Sequence, residues 1–170
     1  MRETDWAELY GVASDPAIWA LHPARNRFEE KEFREYFDTG MASGGALTIR
    51  EQRIGKVIGA SRYYGYDPVL REIEIGWTFL ATAFWGGRFN REIKRLMLDH
   101  AFGFADTVVF WVGEQNWRSQ HAMEKIGGVR RPEMIDRSYN GQTSPHIVFE
   151  ITNLPGWETP LSHGPANRCR

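Results

Sequence analysis

The sequence predicts an α/β (or α+β) domain with a mixed, mainly antiparallel central sheet flanked by helices. Three observations predict it. In residues 71–90, REIEIGWTFLATAFWGGRFN, the positions Ile73, Ile75, Trp77 and Phe79 alternate with Glu74, Gly76 and Thr78, a period of two that marks a strand. A helical pattern begins near Asn90 and places Ile93, Leu96, Met97 and Phe104 on one face. The run TVVFWV at 107–112 then suits a strand buried on both faces, so 72–112 reads as a right-handed parallel crossover.

The remaining elements follow in order. Residues 1–18 read as a polar lead-in with weak periodicity, and 19–27, WALHPARNR, as a loop punctuated by Pro23. A short amphipathic helix is expected over 28–39 with Phe28, Phe33, Tyr36 and Phe37 as its apolar positions, and GMASGG at 40–45 breaks it. Strands at 46–50 and 56–64 surround the turn 51–55 as a hairpin, and YYGYDP at 63–68 forms the next turn. A second helix over 118–126 turns Ala122, Met123 and Ile126 inward, and Gly127-Gly128 stops it. Two last strands, 129–137 and 146–152, flank a turn at 139–142. One domain is expected over 1–155, followed by an irregular Pro/Gly-rich tail over 156–170.

Composition excludes several classes. A net charge of −1, with arginines scattered among acids, leaves no basic footprint for nucleic acid. The single cysteine, Cys169, excludes an intrachain disulfide and a cysteine zinc site. With no apolar run approaching the ~20 residues of a membrane span and no signal-peptide pattern, a cytoplasmic location is the expectation. His121 with Glu124, and His100 with Asp99, lack metal-site spacing on one helix face, so no metal is expected. The 14% aromatic content is high, and such residues more often fill a core than bind ligand.

The chemistry lies in the glycine turn. A strand that delivers Gly86-Gly87 to a helix N-terminus makes an anion site, because free backbone N–H groups and the helix dipole point outward together. Neither a P-loop nor a dinucleotide-binding glycine pattern is present.

EIGWTFLATAFWGGRFN, together with NWRSQHAMEKIGG at 116–128, resembles the GNAT superfamily of acyl-CoA N-acetyltransferases, in particular its RimJ/RimL-type branch. There an EIGY/W-type strand leads to a YWGxGY loop, and an NxxSxxxxEKxG segment follows one strand later. The resemblance runs roughly from residue 19 to 150. It implies acetyl-CoA as co-substrate, with coenzyme A against Phe79, Leu80, Trp85, Gly86, Gly87, Arg88, Phe89 and Asn90. Asn116 would bond the pantetheine arm as well as cap the following helix. The family's Gln/Arg-x-x-Gly-x-Gly/Ala loop falls on Ala83, Gly86 and Arg88, so only the first glycine matches. Arg88 adds a positive charge beside the diphosphate or crowds the loop.

A charged residue in a central strand needs solvent or a partner. Glu74, with Glu72 as the alternative, is therefore either a general base in a cleft, as the resemblance implies, or one half of an ion pair; Glu74 or Glu72 with Arg62 or Arg71 would serve. The resemblance implies Ser119 as proton donor to the leaving thiolate, because Met123 stands where many relatives carry a tyrosine; the alternative is a thiolate that leaves unassisted or through water. His22 and Trp77 are expected on the acceptor side, and the tyrosines of 63–66 are candidates for its wall. Without a suitably placed cysteine, acetyl transfer would run directly within a ternary complex. The alternative is a non-catalytic acyl-CoA-binding or partner-binding module on the same fold. A protein N-terminus, an amino acid, a polyamine or an antibiotic amine all fit as acceptor, and a homodimer is left open.

Overall fold

The computed structural model describes residues 1–86, 88–139 and 141–153. Among them, the chain runs α1 (Trp6–Ala13), α2 (Pro16–Trp19), α3 (Glu30–Ala42), β1 (Ala46–Arg50), β2 (Val57–Asp67), β3 (Glu72–Leu80), α4 (Phe89–Ala101), β4 (Thr107–Gly113), α5 (Trp117–Lys125), β5 (Val129–Tyr139) and β6 (Gln142–Thr152). The strands form one sheet in the order β1-β2-β3-β4-β6-β5. Every neighbouring pair is antiparallel except β3 and β4, which are parallel because α4 returns the chain between them. The fold class and the parallel pairing of β3 with β4 across α4 are as the sequence predicts. The tail expected over 156–170 lies outside the described residues, as do Gly87 and Asn140.

Each face of the sheet buries its own core. On one face Ile73 and Ile75 of β3 and Val108 and Phe110 of β4 pack against Met97, Leu98 and Ala101 of α4 and Met123 of α5. On the other, Val57, Ala60 and Phe79 pack against Leu9 and Ala13 of α1 and Phe33, Tyr36 and Phe37 of α3. That both Ile75 and Phe79 belong to β3 yet lie in different cores is a correction to the unbroken alternation read from the sequence. Ala60 pairs with Phe79 but Arg62 pairs with Gly76, so Ser61 faces two residues, Trp77 and Thr78. This β-bulge transfers every later side chain of β3 to the other face.

The bulge holds Trp77 at φ 52°, in the left-handed region that a bulky side chain enters only at a cost of about 1–3 kcal/mol. Its carbonyl accepts a 2.6 Å hydrogen bond from the buried Tyr36 hydroxyl, which helps to offset that strain. Burial of that phenol raises its pKa to about 12, so the donor proton stays in place.

Other elements depart from expectation more mildly. Helix α3 continues through Gly40 to Ala42, and β2 runs on through Tyr63–Asp67, where a turn was expected. In α4 Leu96 is exposed, and Leu98 and Ala101 fill the core instead.

The N-terminal segment is the larger correction. Residues expected as a polar lead-in form α1 and α2, with Leu9 and Ala13 fully buried. Asp5 anchors them to β1, accepting from Thr48 Oγ1 at 2.7 Å and Arg50 Nη2 at 2.8 Å. Leu9→Ala is therefore expected to cost about 2–5 kcal/mol of stability in urea unfolding. A cost near zero would return the segment to a lead-in.

Candidate active site

Strands β3 and β4 pair only through Glu72–Thr107, Ile73–Val108 and Glu74–Val109. Both continue, β3 to Leu80 and β4 to Gly113, without pairing to each other. The two strands thus open like a V whose vertex lies at Glu74 and Val109. A cavity of about 500 Å³ fills the opening, lined along β3 by Gly76 to Leu80 and along β4 by Phe110 to Gly113. Its size lies within the range of small-molecule sites.

Trp85, Gly86 and Asn90 line the same cavity. Gly86 has φ 69°, a conformation glycine adopts freely, and turns the chain into α4. The N-cap position of α4 is Arg88, whose side chain makes no capping bond, so the first N–H groups of the helix are not occupied by their own cap. Arg88 and Phe89 do not line the cavity. The Arg88 guanidinium lies 5.8 Å from the Phe89 ring, and Phe89 packs edge-on against Phe84 at 4.9 Å. Gly87 lies outside the described residues.

Opposite the glycine turn stands α5, whose N-cap Asn116 is buried and accepts from Ser119 N–H at 3.2 Å. Asn116, Ser119 and Met123 all line the cavity. Trp85 and Arg118 meet across its mouth: the guanidinium lies 3.9 Å from the indole centroid and donates to the Ile18 carbonyl at 2.9 Å. Trp85 Nε1 donates to the Leu80 carbonyl at 2.9 Å, which ties the turn to the end of β3.

His22 and Trp77 line the cavity from the opposite face of the sheet. His22 Nδ1 accepts from Ala24 N–H at 2.9 Å. Burial, reinforced by Arg27, His146 and Arg118, pushes its pKa well below the ordinary histidine value, so the ring is neutral. None of the three tyrosines of 63–66 lines the cavity: the Tyr63 hydroxyl donates to the Met97 carbonyl at 2.7 Å, the Tyr66 hydroxyl to the Phe104 carbonyl at 2.9 Å, and Tyr64 packs edge-on against the cavity-lining Trp77 at 5.2 Å.

Glu74 is buried and does not itself line the cavity. One carboxylate oxygen, Oε2, accepts from Arg137 Nη2 at 2.5 Å. The other, Oε1, is buried without a partner. It lies 2.8 Å from where a Cβ on Gly76, itself a lining residue of the cavity, would sit. Burial raises the Glu74 pKa above the ordinary carboxylate value, opposed by Arg137 and Arg62. Glu72, by contrast, pairs with Arg131, and Arg71 with Asp106. The partners suggested by sequence proximity are thus replaced by arginines of the distant β5.

Sequence reasoning missed three groups. Arg137 sits 3.8 Å from the Trp111 ring and 5.1 Å from Trp77, holding both cavity-lining indoles beside Glu74. No local signal marks it. His146 lines the cavity from β6, its Nδ1 2.9 Å from the Ser144 carbonyl. Lys94 lines the cavity from α4, almost fully buried, donating to Thr78 Oγ1 at 2.7 Å with its ammonium 5.1 Å from the Phe110 ring. A signal for it existed: Lys94 shares the i, i+3, i+4, i+7 stripe with Met97, Leu98 and Ala101.

Among the described residues no cluster of three or more His, Cys, Asp or Glu is arranged to hold a metal ion, and no helix is long and apolar enough to cross a membrane.

A family model described as an acetyltransferase (GNAT) domain matches residues 1–129, and the chain belongs to that family. Its members are acyl-CoA-dependent acetyltransferases, and the fold binds acetyl-CoA or coenzyme A. No curated protein matches the chain. Solved structures of similar fold include a GNAT-family acetyltransferase from Bacillus anthracis (17% identity, TM-score 0.71, 89% of this chain and 91% of that one). A spermidine N-acetyltransferase from Vibrio cholerae, solved with CoA and spermine, has 15% identity and a TM-score of 0.66 over 89% of this chain and 92% of that one. Mycobacterium smegmatis RimJ, solved with CoA-disulfide, has 18% identity and a TM-score of 0.68 over 89% and 79%.

Burial takes the Lys94 pKa down to about 7, against about 10.4 in an unfolded chain. Between these values the unfolded state binds a proton that the folded state lacks, so the Lys94 contribution to stability rises with pH through that window and levels off above it. Compared with Lys94→Met, wild-type stability is expected to gain up to about 1.4 kcal/mol per pH unit there, read from urea unfolding across pH. Parallel curves for the two proteins would contradict the burial of a titrating amine.

Proposed function

We propose that this chain transfers an acetyl group from acetyl-CoA to a primary amine, by direct attack within a ternary complex, as a single domain spanning residues 1–155. The observation that carries the reading is the opening between β3 and β4. Backbone groups on two separated strand edges are unmatched by each other, and an extended ligand with amide groups can take the place of the missing strand. The pantetheine arm is such a ligand. One end of that opening meets the uncapped N-terminus of α4, suited to a diphosphate. The strand motif, the glycine turn and the Asn116–Ser119 segment favour the RimJ/RimL-type branch, with a protein N-terminus or a small-molecule amine as acceptor.

Residue roles follow from position. In the turn into α4, Gly86 and Asn90 face the diphosphate, with Phe79, Leu80 and Trp85 along the arm and Arg88 and Phe89 shaping the turn from outside the cavity. The Asn116 side-chain oxygen already accepts from Ser119, which leaves its amide N–H₂ to bond the arm. On the acceptor side, His22 is a neutral imidazole and Trp77 an apolar wall.

Glu74 serves as general base through Oε1. A buried carboxylate with a raised pKa is a stronger base than one in water, and this oxygen has no partner to displace. The acceptor nitrogen, once deprotonated, bonds the thioester carbonyl carbon while the carbon–sulfur bond breaks. The Ser119 hydroxyl supplies the proton to the departing thiolate, a role Met123 has no proton to fill.

The Glu74–Arg137 pair favours a second reading, in which the carboxylate only fixes β5 and the fold binds acyl-CoA without catalysis. Thiol release from acetyl-CoA across a panel of primary amines separates the two: amine-dependent release supports transfer, and its absence with every amine leaves the binding module.

Two substitutions test the assignments. Glu74→Gln is expected to lower the rate roughly 10²–10⁴-fold with coenzyme A affinity unchanged by calorimetry. An unaltered pH–rate profile would transfer the role to water. Gly86→Val forces a β-branched residue into positive φ and is expected to weaken coenzyme A binding at least about tenfold in a folded protein. Unchanged affinity would remove the turn from the site.

A further inference from the structure

Lys94 is a buried amine lining the cavity that the proposed transfer does not use. Its amine is almost fully buried, with one neutral hydrogen-bond acceptor, Thr78 Oγ1, which is also 2.7 Å from Ser61 Oγ. Its other contact is the Phe110 ring, and among the described residues no carboxylate pairs with it. A buried ammonium so poorly compensated gives up its proton readily. The two atoms beside Lys94 belong to the two separated strands: Thr78 to β3 and Phe110 to β4. The amine therefore touches both strands on the α4 face of the sheet, in the lining of the cavity where the acyl-bearing arm is proposed to lie.

We infer that Lys94 is a site of self-acylation, its Nζ taking the acetyl group from acetyl-CoA bound in the same cavity. The inference rests on the proposed acetyl-CoA site. The Nζ lone pair bonds the thioester carbonyl carbon, the carbon–sulfur bond breaks, and the thiolate leaves. The nitrogen's proton goes to that thiolate, so the products are an acetamide on Lys94 and free coenzyme A thiol.

Two physical effects favour the step. With a pKa of about 7 roughly half of Lys94 is the neutral nucleophile at neutral pH, against roughly one part in 10³ for an ordinary lysine. The product also removes a buried charge while keeping one N–H to donate to Thr78 Oγ1, so it relieves a desolvation cost rather than adding one.

The chain contains only four lysines, Lys31, Lys56, Lys94 and Lys125, which makes the site easy to map. Lys125 also lines the cavity but is exposed, and so serves as an internal control. The test incubates the full chain with acetyl-CoA carrying an isotopically labelled acetyl group, without an amine acceptor, and follows peptide masses over time. In parallel, coenzyme A binding is measured by calorimetry. The expected result is one labelled acetyl on Lys94, acquired roughly 10²-fold or more faster than on Lys31, Lys56 or Lys125, with one thiol released per label. Lys94→Arg, which keeps the charge, is expected to lose the fast label while the slow labels on Lys31, Lys56 and Lys125 are unchanged.

Coenzyme A binding with Lys94 unlabelled, or labelled no faster than Lys125, would overturn the self-acylation while leaving the proposed function standing. Failure to bind coenzyme A would overturn both.

Discussion

The structure depends on the place where two parallel strands stop pairing. A parallel pair buried between helices has every reason to continue, since each unmatched backbone group in a dry environment costs free energy comparable to a lost hydrogen bond. Yet β3 and β4 part after Glu74 and Val109. Their other edges remain committed, β3 to β2 and β4 to β6 through Gly113–His146, so the two halves of the sheet are each held firmly while the seam between them is open. The bulge at Trp77 lies beside this seam, with its carbonyl bonded by Tyr36 of α3. Strain in β3 and the opening beside it occupy the same few residues, which is where strain is commonly stored in binding sites.

Separated strands also explain the charges. On one face of β3, Glu74 is held by Arg137 from β5 with one oxygen unpaired; on the other, Lys94 reaches Thr78, and among the described residues no carboxylate pairs with it. A buried carboxylate and a buried amine on opposite sides of one strand would each be expensive in a closed sheet. Both lie near the cavity instead. Burial drives the two pKa values in opposite directions, raising the acid and lowering the base, so both lean towards their neutral forms. Groups poised in this way are suited to moving protons.

Much of this was legible in the sequence because it is local. The hairpin at Ala46–Arg50, the crossover through β3, α4 and β4, and the inward face of α5 all follow from periods of two and 3.6 residues and from glycine stops. The turn at Gly86 and the cap at Asn116 were legible for the same reason. The bulge was not, since EIGWTF alternates as well as any regular strand, and only the cross-strand register to Arg62 reveals the extra residue. Helix α1 was legible as well, since Trp6, Leu9, Tyr10 and Ala13 form an i, i+3, i+4, i+7 stripe; what lay beyond local pattern was its docking on β2. The partner of Glu74 comes from a strand 63 positions along, beyond any local pattern. Lys94 was legible but unread: a lysine in the inward stripe of an amphipathic helix is a question the sequence poses by itself.

Backbone hydrogen exchange with and without coenzyme A tests most directly whether the open seam is the ligand site. Coenzyme A is expected to slow exchange of amides along the β3 edge past Glu74, the β4 edge past Val109, and the turn into α4, while the paired β5–β6 hairpin is unchanged. Protection that spares those edges, or that appears only on another surface, would contradict it.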